Sequence, residues 1–129
     1  MQPNLTFEHL ALNVEDKGMA ERWYTAFLNL RVVRSVPDGP SFLADQSGRV
    51  VLELYSRDDT PRLDFAQTEP LTIHLAFHVH DVEGTAENLM NAGATVAEPM
   101  KQAGGDEMIM LRDPFGLPIQ LVHRAEEMF

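Results

Sequence analysis

The chain of 129 residues contains no cysteine, which excludes disulfide bonds, thiolate nucleophiles and cysteine-ligated zinc sites. Any bound metal must therefore be held by His, carboxylate, amide or water ligands. Basic residues are also scarce, since ten Lys and Arg stand against twenty Asp and Glu. The resulting net charge of −10 repels a phosphate backbone and argues against nucleic acid as a partner. Solubility is the simplest role for this charge.

The chain also lacks long apolar runs, and none approaches the roughly 20 residues of a membrane-spanning helix. Residues 1–6 have neither the basic nor the apolar region of a signal peptide. We therefore expect a cytoplasmic protein without a membrane partner. An apolar content of 44% and a charged content of 23% are typical of a soluble globular protein.

An internal repeat organises the sequence. His9–Asp16 reads HLALNVED and His74–Asp81 reads HLAFHVHD, which are identical at five of eight positions. Later in each half, an Asp-x-x-Gly turn leads into an apolar strand. That strand carries Glu53, 44 residues after the first His, or Gln120, 46 residues after the second. The repeat therefore places metal-ligand residue types at equivalent points of the two halves.

Hydrophobic periodicity and turn residues predict the same order of elements, β-α-β-β-β, in each half. The first half should contain a strand over 5–14, a helix from the cap Asp16 to about Leu28, and strands over 31–36, 41–44 and 50–56. The second half should contain a strand around 73–80, a helix from the cap Asp81 to Gly93, and strands over 94–97, 108–112 and 119–123. Asn29 should take the left-handed conformation that ends the first helix.

The polar segment 58–70 shows no clear period and predicts a linker between module one, residues 5–57, and module two, residues 71–124. We therefore predict an α+β fold in one domain, 1–129. Its two βαβββ modules would pair into a curved mixed sheet, with helices on the outside and a concave interior.

Strand alternation places His9, Glu53 and His74 on the faces that should look into this concavity. A carboxylate on the inward face of an apolar strand needs a cation as its partner. A single His in a strand is more often structural, but these two are repeat equivalents, which favours metal binding by the pair. Gln120 follows by its match to Glu53, although an amide can also line a polar pocket without touching metal.

Four features together resemble the glyoxalase, bleomycin-resistance and extradiol-dioxygenase superfamily, also called the vicinal oxygen chelate fold. They are the repeat, the HLAxxVxD opening of each half, the Trp23-Tyr24 pair and the closing DPFGLPIQ of 113–120. The resemblance covers about residues 5–124 and makes the chain a single glyoxalase-like domain. It implies a cavity with one divalent metal, and it implies a homodimer.

In the glyoxalase I pattern, the resemblance assigns the metal ligands to His9, Glu53, His74 and Gln120. This set would leave two octahedral positions for water or for a small-molecule substrate that chelates the ion. Imidazole, carboxylate and amide donors suit Ni, Co, Zn, Fe or Mn.

The chain departs from that pattern at Gln120, where members with glyoxalase I activity usually have a Glu that doubles as the base. A carboxamide can ligate weakly but cannot take a proton from carbon. We therefore expect Glu53 to act as the base, or else His78 from the same strand face as His74. His80 should be exposed and His123 structural.

Two classes of function remain open. The first is a metal-dependent lyase or isomerase of the glyoxalase type, which acts on a small oxygen-chelating carbonyl substrate by proton transfer. The second is a non-enzymatic binding protein of the bleomycin-resistance type, in which an acidic cavity holds a cationic drug without metal. The repeated His and Glu favour the first class, and the net charge fits the second. A ring-cleaving dioxygenase is less favoured, because dioxygenases of this fold take a carboxylate ligand from the position of Gln120.

Overall fold

The computed structural model describes residues 3–128, which divide into two compact units on either side of the bond between Leu63 and Asp64. Each unit contains four strands and one helix in the order β-α-β-β-β. The predicted α+β fold of two βαβββ modules is confirmed. Within residues 3–128, neither helix has the length and apolar character needed to cross a membrane.

The first unit is a mixed four-stranded sheet with one helix. Its elements are β1 (Leu10–Asn13), α1 (Lys17–Phe27), β2 (Arg31–Ser35), β3 (Ser41–Ala44) and β4 (Val50–Tyr55). The strand order is β1-β4-β3-β2, and β1 and β4 are parallel while the other pairs are antiparallel. The core of the unit is built from buried leucines on one face of the sheet and buried residues of α1, namely Leu12, Leu43, Leu52, Leu54, Ala20, Trp23 and Tyr24.

The second unit repeats this topology. It begins with a 3₁₀ turn (Phe65–Gln67) and continues with β5 (Leu75–His78), α2 (Val82–Asn91), β6 (Thr95–Ala103), β7 (Asp106–Arg112) and β8 (Pro118–His123). The strand order is β5-β8-β7-β6, and β5 is parallel to β8. Its buried core comes from α2 and from alternate sheet residues, namely Val82, Ala86, Leu89, Leu111, Ile119 and Leu121.

Both helices begin at the predicted caps. The Asp16 side chain accepts a hydrogen bond from the Met19 amide at 3.0 Å, and the Asp81 side chain accepts one from the Gly84 amide at 2.9 Å. Each cap satisfies one of the amide donors that a helix N-terminus leaves unpaired. Asn29, with φ of 56°, has the predicted left-handed conformation after the first helix.

Strands β1 and β5 are shorter than predicted at their N-terminal ends. In the first unit, the partner strand β4 starts at Val50, directly after a turn; Val50 falls opposite Glu8 in the register, so residues 5–7 have no strand to pair with. In the second unit, β5 pairs from Leu75 opposite Ile119, and the partner strand starts one residue earlier at Pro118, which has no N–H to donate. The two repeat-equivalent His residues therefore lie immediately before their strands rather than inside them.

Strand β6 is longer than the predicted 94–97, because it continues through Pro99 to Ala103. This is an edge strand, where a missing N–H costs no ladder hydrogen bond if it faces outward. Its pairing with β7 shifts register between Val96 and Glu98 and again before Lys101, so irregular pairing accommodates the proline.

Arg112 ties the 3₁₀ segment to the sheet of the second unit. Its guanidinium donates to the carbonyl oxygens of Phe65 at 2.7 Å, Thr68 at 3.0 Å and Gly116 at 3.1 Å. Gly116 has a φ of 94°, and a Cβ built there would lie 2.6 Å from the backbone nitrogen of Ala66. Only glycine therefore allows this close approach of two backbone segments.

We expect Gly116→Ala to destabilise the protein by about 2 kcal/mol or more, because a left-handed conformation and a backbone clash act together. Gly104→Ala is the matched control, since Gly104 also has a positive φ of 60° but a Cβ there would have no neighbour within 4 Å. Urea unfolding of both variants measures the difference. Equal destabilisation of the two variants would contradict the close-approach argument.

Candidate functional site

The hydrogen-bond register of the two parallel strand pairs reproduces the internal repeat. Ala11 of β1 pairs with Glu53 of β4, and Ala76 of β5 pairs with Gln120 of β8. In each unit, a His lies two residues before the paired Ala. The sequence equivalences therefore hold in three dimensions within each unit, and each strand pair brings one imidazole and one oxygen donor to the same region of its sheet.

His9 and Glu53 come together in the first unit. Glu53 is only 7% exposed, and its Oε1 lies 3.7 Å from Nε2 of His9. On the other side of the ring, His9 Nδ1 lies 2.8 Å from Oε1 of Glu8. An ionised carboxylate can only accept, so Nδ1 carries the proton and Nε2 of the neutral ring presents a lone pair. A lone pair and a carboxylate oxygen facing each other at this distance favour a cation or a proton between them.

The surroundings of Glu53 are asymmetric. Phe42 of β3 pairs with Glu53, and its ring packs edge-on against the His9 ring, with centroids 5.5 Å apart. On the other side, the paired residue of β1 is the small Ala11. The aromatic ring therefore packs against the imidazole that approaches the carboxylate, and the neighbour of Glu53 on β1 is a small side chain.

Tyr55 lies two residues after Glu53 and shares its face of β4. A hydrogen bond to the Glu53 carboxylate raises the pKa of the Tyr55 hydroxyl above its ordinary value, and partial desolvation and the negative charge of Glu53 add to the shift. The phenol is therefore neutral at physiological pH and donates to Glu53.

His74 of the second unit has the same proton arrangement as His9, reached through a different partner. Its Nδ1 lies 2.7 Å from the carbonyl oxygen of Pro70. A carbonyl oxygen can only accept, so Nδ1 carries the proton and Nε2 presents the lone pair. A His that ligates a metal generally donates its other ring N–H to a carboxylate or a backbone carbonyl, as His9 and His74 do here.

Gln120 is half-buried on β8, and the sulfur of Met108 is the hydrogen-bond partner of its amide nitrogen, at 4.0 Å. This weak contact leaves the carbonyl oxygen as the end of the amide that can ligate. No hydrogen bond or ion pair joins Gln120 to His74 within residues 3–128. The second unit thus presents the two donors without direct contact between them.

His78, His80 and His123 form a cluster that sequence reasoning missed. Their ring centroids are 5.5 to 6.1 Å apart. His80 is exposed, as predicted, and His123 Nδ1 contacts the carbonyl oxygen of Val79 at 3.2 Å. The contact of His123 with the Val79 carbonyl places its ring beside those of His78 and His80.

Across residues 3–128, no three His, Asp or Glu side chains are grouped closely enough to hold a metal ion. The chemistry of the donors nevertheless fits a divalent cation. Each unit offers one imidazole whose Nε2 is free and one oxygen donor, which together are ligand types of first-row metals.

The fold and these repeated donor pairs define a duplicated βαβββ protein. The chain belongs to the Glyoxalase/Bleomycin resistance protein/Dioxygenase superfamily, whose family model matches residues 6–121. The predicted superfamily is therefore confirmed. No curated protein sequence gives a significant match.

Solved structures of low sequence identity share the fold. A lactoylglutathione lyase from Agrobacterium tumefaciens is 20% identical with a TM-score of 0.67, and the match covers 95% of this chain and 96% of that one. TnmS3, an antibiotic-binding protein from Streptomyces sp. CB03234, is 18% identical with a TM-score of 0.73, over 97% of this chain and all of that one (100%). A glyoxalase-related enzyme from Fulvimarina pelagi is 19% identical with a TM-score of 0.69, over 92% of this chain and 88% of that one.

We expect the rings of His9 and His74 to be protonated at Nδ1 in the metal-free protein, although an imidazole in water favours Nε2–H. Long-range ¹H–¹⁵N correlation spectra at a pH where the rings are neutral distinguish the two tautomers. His80 serves as the control, because its ring nitrogens make no hydrogen bond within the described residues. Finding Nε2–H at His9 would contradict the assignment of its lone pair.

Glu53→Gln should lower the pKa of Tyr55 towards its ordinary value, since it removes both the charged acceptor and the negative charge. A ¹³Cζ-tyrosine NMR titration measures this pKa, and Glu15→Gln, which removes an exposed carboxylate, is the control. Because the folded-state pKa is raised, the stability from this contact is present below about pH 10 and is lost as pH rises through the folded value. An unchanged Tyr55 pKa in Glu53→Gln would refute the contact.

Proposed function

We propose that the chain is a metal-dependent lyase or isomerase of the glyoxalase type, which acts on a small oxygen-chelating carbonyl substrate by proton transfer. One observation carries the proposal, namely the 3.7 Å approach of a free imidazole Nε2 to the buried carboxylate of Glu53. Superfamily membership and the structural similarity to a lactoylglutathione lyase support the reaction class.

The proposal assigns His9, Glu53, His74 and Gln120 as ligands of a divalent metal, namely Ni, Co, Zn, Fe or Mn. Such an ion, when bound, polarises a carbonyl and offsets the charge that develops as a neighbouring carbon loses a proton. Hydrogen bonds from the imidazole Nδ1 atoms to Glu8 and to the Pro70 carbonyl orient the two rings beforehand.

Glu53 is the better candidate for the base that accepts the proton from carbon. Its carboxylate is buried, adjoins His9 and lies near the neutral hydroxyl of Tyr55. His78 lies four strand residues beyond His74, a separation of about 13 Å. Its ring also packs among two other imidazoles, which separates it from the donors of its own unit.

A second candidate is a metal-free ligand-binding protein. One observation favours it: TnmS3, an antibiotic-binding protein, has a similar structure. The net charge of −10 suits a cationic ligand. The same fold hosts both kinds of function, so only the chemistry of the site distinguishes them.

Metal content of protein purified without chelator tests the first candidate. We expect near-stoichiometric divalent metal in the wild type and at least about tenfold weaker binding in His9→Ala, Glu53→Gln and His74→Ala, because each removes a ligand. Added metal at about 100 times its Kd should stabilise the folded protein by about 2.7 kcal/mol in thermal unfolding.

His80→Ala is the matched control, since it removes an exposed His that the proposal leaves out of the ligand set. Isomerisation of a hemithioacetal by the metal-loaded protein, and its loss in Glu53→Gln, would support the reaction class. Metal absent from the wild type, with no stabilisation by any of the five ions, would rule out the chelate mechanism and leave the binding protein. Equal metal loss in His80→Ala would contradict the ligand assignment.

A further inference from the structure

A cavity of about 430 Å³ lies in the first unit, where the end of β4 meets the start of α1. Its walls include Lys17, Tyr55, Arg57 and the turn residues Asp38 and Gly39. None of the four proposed metal ligands lines it. The cavity is therefore a separate feature, and it shares with the candidate site only Tyr55, whose hydroxyl donates to Glu53.

Lys17 brings an unneutralised positive charge to this cavity. Its ammonium donates one hydrogen bond, to the carbonyl oxygen of Gly39 at 2.7 Å, and no carboxylate of residues 3–128 lies within ion-pair distance. Arg57 differs, because its guanidinium makes two hydrogen bonds to the Asp59 carboxylate, at 2.9 and 2.6 Å. Of the two cations in the cavity wall, Lys17 is thus the one with donors to spare.

The fold itself does not require a lysine at this position. Lys17 is the first residue of α1, where the helix macrodipole disfavours a positive charge. The corresponding residue of α2, directly after the cap Asp81, is Val82, which is only 1% exposed. The internal repeat therefore shows that an apolar residue can fill this place, and the lysine is an addition specific to the first unit.

We propose that this cavity binds the carboxylate group of a small-molecule ligand, with Lys17 as its charge partner. Because Asp59 already engages Arg57, Lys17 is the cation of the cavity wall that has no ion-pair partner, and Asp38, which lines the same cavity, does not reach ion-pair distance of it. One cation suits a singly charged carboxylate better than a phosphate dianion. A ligand held there lies beside the Tyr55 ring, whose hydroxyl contacts Glu53. The inference goes beyond the proposed reaction and applies equally to a metal-free binding protein.

The test uses ¹⁵N-labelled, metal-free protein titrated with sodium pyruvate at constant ionic strength. Methyl pyruvate is the neutral probe of similar shape, and inorganic phosphate tests the competing anion. Pyruvate should shift the amide signals of Lys17, Gly39, Ser56 and Arg57 in a saturable manner, and the ester should not. Lys17→Met should raise the pyruvate Kd at least about tenfold, as expected for a charge-assisted hydrogen bond.

Lys101→Met is the matched control, because it removes the only other lysine of the chain, an exposed one on β6. It should leave the pyruvate Kd unchanged, and Lys17→Arg should keep it within a few-fold. A purely structural Lys17 would instead show as a lower melting temperature in Lys17→Met with pyruvate affinity intact, and this result would overturn the proposal. Three other results would also overturn the proposal: an equal loss of pyruvate affinity in Lys101→Met, tighter binding of phosphate than of pyruvate, or the absence of a saturable shift with pyruvate.

Should Lys17→Met fail to fold, Lys17→Gln gives the same comparison with a polar side chain. Because the titration contains no metal, its outcome is independent of whether the chain binds a divalent ion. A positive result without metal binding would establish the carboxylate site while the proposed chelate mechanism fails. Metal binding with no response to pyruvate would retain the mechanism and reject the carboxylate site.

Discussion

The parallel pairing of the first and last strands is the constraint on which each unit depends. Parallel strands cannot be joined by a tight turn, and here the chain passes through a helix and two further strands before the last strand returns beside the first. This return pairs Ala11 with Glu53 and so brings His9, 44 residues earlier in the chain than Glu53, to within 3.7 Å of its carboxylate. The site chemistry of the unit is therefore a direct result of strand register, and a slip of one residue would turn Glu53 into the leucine core.

The two imidazoles reach one proton arrangement by different means. His9 is oriented by the side chain of its neighbour Glu8, and His74 is oriented by the backbone carbonyl of Pro70. A backbone acceptor cannot be removed by a side-chain substitution, whereas a carboxylate can be protonated or replaced. Both units thus place the proton on Nδ1 of the ring. They differ in whether protonation or replacement of a side chain can remove the acceptor that holds it there.

Most of the fold could be predicted from the sequence because its signals are local. Asp16 and Asp81 cap their helices through contacts three residues away, and leucines at alternate positions mark the buried sheet face. The starts of β1 and β5 could not be predicted, since alternation does not show whether a partner strand extends far enough. The approach of His9 to Glu53 could be expected from the repeat. Other features depend on tertiary geometry and could not be predicted: the hydrogen-bond partners of the two imidazoles (Glu8 and Pro70), the His123 ring in the imidazole cluster, and the cavity at Lys17.

Glu53 and Gln120 occupy the same place in the registers of their units, each opposite the alanine that follows a His by two residues. Strand β8 therefore presents position 120 as β4 presents position 53, and a carboxylate there needs no change in backbone. Glutamine and glutamate codons differ at a single base. The difference between a chain with one acidic donor and a chain with a carboxylate in both units is thus one point mutation, and selection could cross it in either direction without rebuilding the fold.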